Sequence, residues 1–153
     1  MALHIGDSIP EELGTDQNGN LIKASDFTGQ KLALYFYPRD QTPGCTAQAC
    51  SLREGYSKLR EKGYAIVGVS IDSAKSHQRF IDKYSLPFPL IADTDKKLVD
   101  IFGVWQQKSM MGKKFMGTVR TTFLVDESGV ISHILEGKEI DTKNHADQIL
   151  GII

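Results

Sequence analysis

Apolar residues fall along this chain in two rhythms. Continuous runs at Leu32 to Tyr37 and Ala65 to Ile71 have the composition of strands covered on both faces. Between them Cys45, Ala49, Leu52, Tyr56 and Leu59 recur at steps of four, three, four and three, which makes one inward helix face. Gly63 closes that helix, and strand, helix, strand predicts a parallel, right-handed crossover. A second helix, Ala74 to Tyr84, takes its cap from Asp72 or Ser73, and His77 early in it reads as a solvated helix residue. Leu86 to Ala92 gives a loop and a short strand, which Pro89 confines to a sheet edge or to the residues after itself. Asp93, Asp95 and Lys96 open another helix through Leu98 and Phe102, stopped by Gly103.

Towards the ends the pattern is that of hairpins. The turn cluster Asp16 to Asn20 predicts one within Ser8 to Lys23, followed by a capped surface turn at Ser25-Asp26-Phe27. Thr118 to Asp126 alternates as a strand, Glu127-Ser128-Gly129 turns, and Val130 to Leu135 returns beside it. Trp105 to Gly117 shows neither rhythm and reads as a flexible surface connection. Asp141 to Ile153 reads as a last helix, capped by Asp141 or Thr142, with Ala146, Ile149 and Leu150 on its apolar side. Strands alternating with helices, and hairpins at both ends, make an α/β domain in three layers with a mixed central sheet. At 153 residues the chain fits one domain.

Composition narrows the function by exclusion. Eighteen basic against nineteen acidic side chains leave a formal charge of -1, so no global field recruits nucleic acid or an anionic membrane. No apolar run approaches the ~20 residues of a membrane span. The start, Met1 to Asp7, lacks a basic stretch followed by an apolar one, so the expected setting is cytoplasmic. His4, His77, His133 and His145 are scattered with no paired spacing, which argues against a closed zinc site. Two cysteines five residues apart in such a protein point to catalytic or sensing chemistry rather than a structural staple.

That chemistry centres on Cys45. Pro38 stops the first core strand, and Thr42-Pro43-Gly44 reads as a helix start with the Thr42 hydroxyl as N-cap and Pro43 at the first helical position. A thiol in the first turn sits among unpaired backbone N–H groups at the positive end of the helix, which favours the thiolate. A helix end supplies only ~0.3–1 kcal/mol, so a cation and a hydrogen-bond donor are needed as well, with Thr42 the local donor. Cys50 would lie roughly 8.6 Å from Cys45 between Cα atoms in an ideal helix, beyond the ~7 Å limit for a bridge. A disulfide between them therefore requires the first turns to unwind.

Pro38-x-x-x-Thr42-x-x-Cys45, with Thr-Pro-Gly-Cys-Thr-x-Gln-Ala-Cys ending at Cys50, resembles the active-site signature of peroxiredoxins of the PrxQ or bacterioferritin comigratory protein subgroup. The resemblance runs from about Gly6 into the last helix. It implies a thioredoxin-like fold with an N-terminal hairpin extension, and a peroxidase acting on hydrogen peroxide and organic hydroperoxides. Cys45 would be peroxidatic and Cys50 resolving, with Pro38 shielding the sulfur and Thr42 bonding the peroxide. On its own Arg120 reads as a surface charge at a strand end, but the family's Arg-x-Thr-Phe segment makes it the missing cation, ahead of Arg39 and Arg53. The family's counterpart of Trp105 to Gly117 lies near the substrate approach. Thioredoxin or a related dithiol would restore the thiols, a monomer is expected, and no metal or organic cofactor is implied. Two rivals remain: a thiol–disulfide oxidoreductase, which the spacing disfavours against Cys-x-x-Cys, and a redox-responsive interaction protein.

Overall fold

The computed structural model describes residues 2–153. The chain opens with an antiparallel hairpin, β1 (Glu12–Thr15) and β2 (Leu21–Lys23). Asp16 closes its turn by accepting from the amides of Asn18 at 2.8 Å and Asn20 at 3.0 Å. A short helical turn, Ala24–Phe27, follows, and Asp26 caps it by accepting from the Lys23 amide at 2.9 Å.

The central sheet has the order β5-β4-β3-β8-β9. Its first strands are β3 (Lys31–Phe36), β4 (Tyr64–Ser70) and β5 (Leu90–Ala92), all parallel. The short strand after Pro89 does take an edge, where a proline beside it removes no ladder bond. The other two strands, β8 (Thr121–Val125) and β9 (Ile131–Glu136), run antiparallel, which makes the sheet mixed.

Each face of the sheet carries its own core. On one, α1 (Pro43–Glu54), α2 (Tyr56–Glu61), α3 (Ala74–Tyr84) and α5 (His145–Ile152) bury Ala49, Leu52, Leu59, Phe80 and Ile149 against Ala33, Tyr35, Tyr37 and Ile66. On the other, α4 (Lys97–Ile101) and the N-terminal hairpin cover Leu34, Phe36, Val67 and Phe123. Because β3 and β4 are buried on both faces they need continuous apolar runs, and that is the pattern their sequences carry.

Four expectations are corrected. The single helix expected from Cys45 through Leu59 is two, broken at Gly55. There a Cβ would overlap the Ala146 methyl of α5. Trp105 to Gly117 is not an irregular connection but a hairpin, β6 (Trp105–Met110) and β7 (Lys113–Thr118), turned through Met111 and Gly112, both at positive φ. The last helix begins at His145 after a short turn at Thr142–Asn144, and no side chain caps it. His77, expected in solvent, is fully buried.

Candidate active site

The site forms where β3 hands the chain to α1. Tyr37 N makes the last sheet bond, to Val69 O at 3.0 Å, and half-buried Pro38 then turns the chain into a loop that exposes Arg39 and Gln41. Thr42 occupies the N-cap with extended backbone, but its hydroxyl does not cap the helix. It donates to Arg39 O at 3.0 Å, which leaves its oxygen lone pairs free to accept. Pro43 and Gly44 fill the first helical positions, so Cys45 enters in the first turn, ahead of the first helical bond, Thr46 N to Thr42 O at 2.8 Å.

Cys45 is buried, at 1% exposure. Arg120, in the link between β7 and β8, points Nη2 at its sulfur from 3.5 Å and donates through Nη1 to Gln48 Oε1 at 2.6 Å. The guanidinium thereby sets a positive charge against a sulfur shielded from water. Gly44 allows this approach, since a Cβ there would lie 3.2 Å from Arg120 Nη2. The main chain of Arg120 is fixed too, by Gly137 N donating to its carbonyl at 2.7 Å. Burial, and then the neighbouring Cys45, pushes the ionisation of Tyr35 well above the usual phenol range, so its hydroxyl remains protonated beside the site.

Cys50 lies in the same helix, half-buried, and both cysteines are free thiols. The competing cations are placed elsewhere: Arg39 is exposed, and Arg53 donates to Tyr84 O and Glu54 Oε1, each at 2.7 Å. Among the described residues no cluster of three or more His, Cys, Asp or Glu side chains could hold a metal ion.

Beside the loop lies a polar cluster that sequence reading missed. Asp40, at 8% exposure, accepts from Tyr37 Oη at 2.5 Å and from Ser76 Oγ at 2.7 Å, and its Oδ2 lies 2.7 Å from His77 Nδ1. One signal was available, because His77, Phe80, Ile81 and Tyr84 share the inward stripe of α3 at helical spacing. Gln48 gave a similar signal, three residues after Cys45 and on the same face. Nothing local marks Asp40.

The AhpC/TSA family model matches residues 5–134, the part of the chain that contains Pro38, Thr42, Cys45, Cys50 and Arg120. The chain belongs to the AhpC/TSA family. It is 40% identical to peroxiredoxin Bcp of Escherichia coli strain K12, over 97% of this chain and 94% of that one. Among solved structures, a mutant of Xylella fastidiosa PrxQ superposes with a TM-score of 0.89 at 29% identity, covering 99% of this chain and 96% of the other. The bacterioferritin comigratory protein of Xanthomonas campestris superposes with a TM-score of 0.84 at 31% identity, over 95% and 96%. The fold is thus the thioredoxin-like one of PrxQ peroxiredoxins, and the protein is a thiol-dependent peroxidase, using peroxide as oxidant and a thiol as reductant.

Proposed function

We propose that Cys45 is the peroxidatic cysteine and Cys50 the resolving one. The observation that carries this reading is the buried Cys45 sulfur at a helix start with Arg120 Nη2 at 3.5 Å. The Cys45 thiolate attacks one peroxide oxygen, the O–O bond breaks, and the departing alkoxide or hydroxide takes up a proton to leave as alcohol or water. Charge develops on both oxygens during the attack. Arg120, the Thr42 hydroxyl and the amides of Gly44 and Cys45 are the groups that meet it. Pro38, ahead of the loop, limits the access of water to the sulfur.

The Cys45 sulfenic acid then condenses with the Cys50 thiol, releasing water and forming a disulfide. Both residues lie inside α1, where ideal geometry separates their Cα atoms by roughly 8.6 Å, so this step unwinds the first turns. An external dithiol, thioredoxin or a relative, reduces the bridge by exchange and returns both thiols. The substrates are hydrogen peroxide and organic hydroperoxides, a range to which the Xanthomonas relative's described alkyl peroxide reduction lends support. We take the chain to act as a single-domain monomer in the cytoplasm, where thiols are kept reduced.

The test is peroxide consumption with thioredoxin, thioredoxin reductase and NADPH. Cys45→Ser is expected to abolish consumption, while Cys50→Ser keeps one fast turnover and loses sustained cycling. Wild-type cycling by Cys50→Ser would refute the resolving role, and turnover by Cys45→Ser the peroxidatic one.

A further inference from the structure

The cluster around Asp40 ties the loop before Cys45 to two other elements. His77 Nε2 lies 2.9 Å from Ile91 O of β5, and a carbonyl only accepts, so Nε2 carries a hydrogen. At Nδ1 the 2.7 Å contact with Asp40 Oδ2 must then hold a second proton between two groups that would otherwise both be acceptors. The Asp40 oxygens also take hydrogens from Tyr37 and Ser76, so this carboxyl is saturated with donors inside the protein. Its own amide donates to Asp72 Oδ2 at 2.8 Å, and Asp72 is steadied by Ser70 Oγ at 2.7 Å. The next residue, Gln41, is held at φ 59°, a left-handed conformation that a non-glycine residue adopts only under constraint. Four residues beyond it stands Cys45.

We propose that Asp40 and His77 are positioning residues that latch residues 38–42 in the peroxide-reactive conformation, and thereby set how the oxidised Cys45 divides between its two fates. In one, the sulfenic acid and the Cys50 thiol form the disulfide and water. In the other, the sulfenic sulfur attacks a second peroxide, giving a sulfinic acid and an alcohol or water. The first requires Cys45 to approach Cys50 by about 2 Å or more, which pulls on Pro43, Thr42 and the latched loop. The second requires Cys45 to stay in place. A strong latch therefore speeds peroxide attack and slows resolution. The inference rests on the reading of Cys50 given above.

Quenched-flow oxidation by hydrogen peroxide, with alkylation and mass spectrometry, resolves Cys45 oxidation, disulfide formation and the sulfinic product. Ser76→Ala and Tyr37→Phe each delete one hydroxyl contact to Asp40 and preserve packing, and Asp40→Asn replaces the carboxyl itself. The ratio of disulfide rate to peroxide-attack rate is expected to rise about fivefold for each hydroxyl, the equilibrium worth of a typical net hydrogen bond, and most for Asp40→Asn. The sulfinic fraction should fall in the same order. Ser51→Ala, which removes the acceptor of Ala146 N at the other end of α1, is the control: it should lower the thermal midpoint and leave the ratio unchanged. A lower midpoint with an unaltered ratio throughout the Asp40 series would reduce the cluster to scaffold and overturn the latch. Absence of a Cys45–Cys50 disulfide in the wild type would instead overturn the resolving role. In that case the latch stands if the attack rate still falls along the series, and fails if it does not.

Discussion

The two ends of α1 are held by different kinds of force. At the N-terminal end the side-chain ties are polar and few: Arg120 reaches Cys45 and Gln48, and the buried Gln48 Nε2 has no partner among the described residues. At the C-terminal end the helix is packed against α5, with Gly55 against Ala146, the Ala146 amide on Ser51 Oγ at 3.1 Å, and Leu52 at 1% exposure. Directional contacts to a cation are lost one at a time, whereas an interdigitated packing is lost as a block. One helix thus contains an end held by a few polar contacts and an end held by packing, with Cys45 in the first and Cys50 where the second begins.

Removing the cation breaks this contrast most severely. Arg120→Met is expected to slow the oxidation of Cys45 by roughly 10²–10³, the usual loss for one preorganised electrostatic partner, as measured in single-turnover mixing with hydrogen peroxide. An unchanged rate would mean that the polar end does not depend on Arg120. Gly55→Ala strikes the other end. Its Cβ has no room beside Ala146, so about 1–3 kcal/mol of stability should be lost in denaturant titration while the oxidation rate of the folded protein is maintained. Restoring space with Ala146→Gly should recover most of that loss.

Gly44→Ala is a smaller intrusion. The new methyl would press on Arg120 Nη2, the movable end of a long side chain, and shift it by a fraction of an ångström. The oxidation rate should fall about threefold to tenfold, with thermal stability nearly unchanged. The smallest effect is one of pH. His145, at the start of α5, is fully buried, bonded through Nε2 to Thr122 Oγ1 at 2.8 Å and through Nδ1 to Gln148 Oε1 at 3.0 Å. Burial, aided by the charge of Arg120 and opposed by Gln148 and Asp141, holds its pKa below the ordinary histidine value. The unfolded chain therefore binds the proton first. Stability is fully present above about pH 6.5 and declines as the pH falls towards the depressed folded value, by at most about 1.4 kcal/mol per pH unit. Urea titrations at pH 7 and 5 should show this loss for the wild type and less of it for His145→Gln.

Much of the fold was legible because its strongest forces are local or periodic. The continuous runs at Leu32 to Tyr37 and Ala65 to Ile71 became central strands, and Pro89 marked an edge. What escaped depends on partners distant in sequence. The break at Gly55 is dictated by a residue on α5, and the Thr42 hydroxyl turned back to Arg39 O instead of capping the helix. His77 lay on an apolar stripe, but its pairing with Asp40 and with Ile91 O, both from other elements, makes burial of an imidazole tolerable. The β6–β7 hairpin lacks alternation because most of both faces is exposed, so its stability comes from a ladder that leaves no hydrophobic period. At the candidate site the motif located Pro38, Thr42, Cys45 and Cys50 on one segment, and the structure brings Arg120 from the β7–β8 link to the Cys45 sulfur. Gln48 and the Asp40 cluster became visible only in three dimensions.

Trp105 is the chain's single tryptophan. It is half-buried at the start of β6, with the Lys96 ammonium 5.1 Å from its ring centroid and Thr118 opposite in the ladder. Two residues past Thr118 the chain reaches Arg120. The protein therefore has one indole chromophore, joined through its ladder partner and a short link to the cation at the thiol, with a charge over its ring. Excited at the red edge of its band, where the five tyrosines absorb little, it is a built-in probe of the segment that carries Arg120.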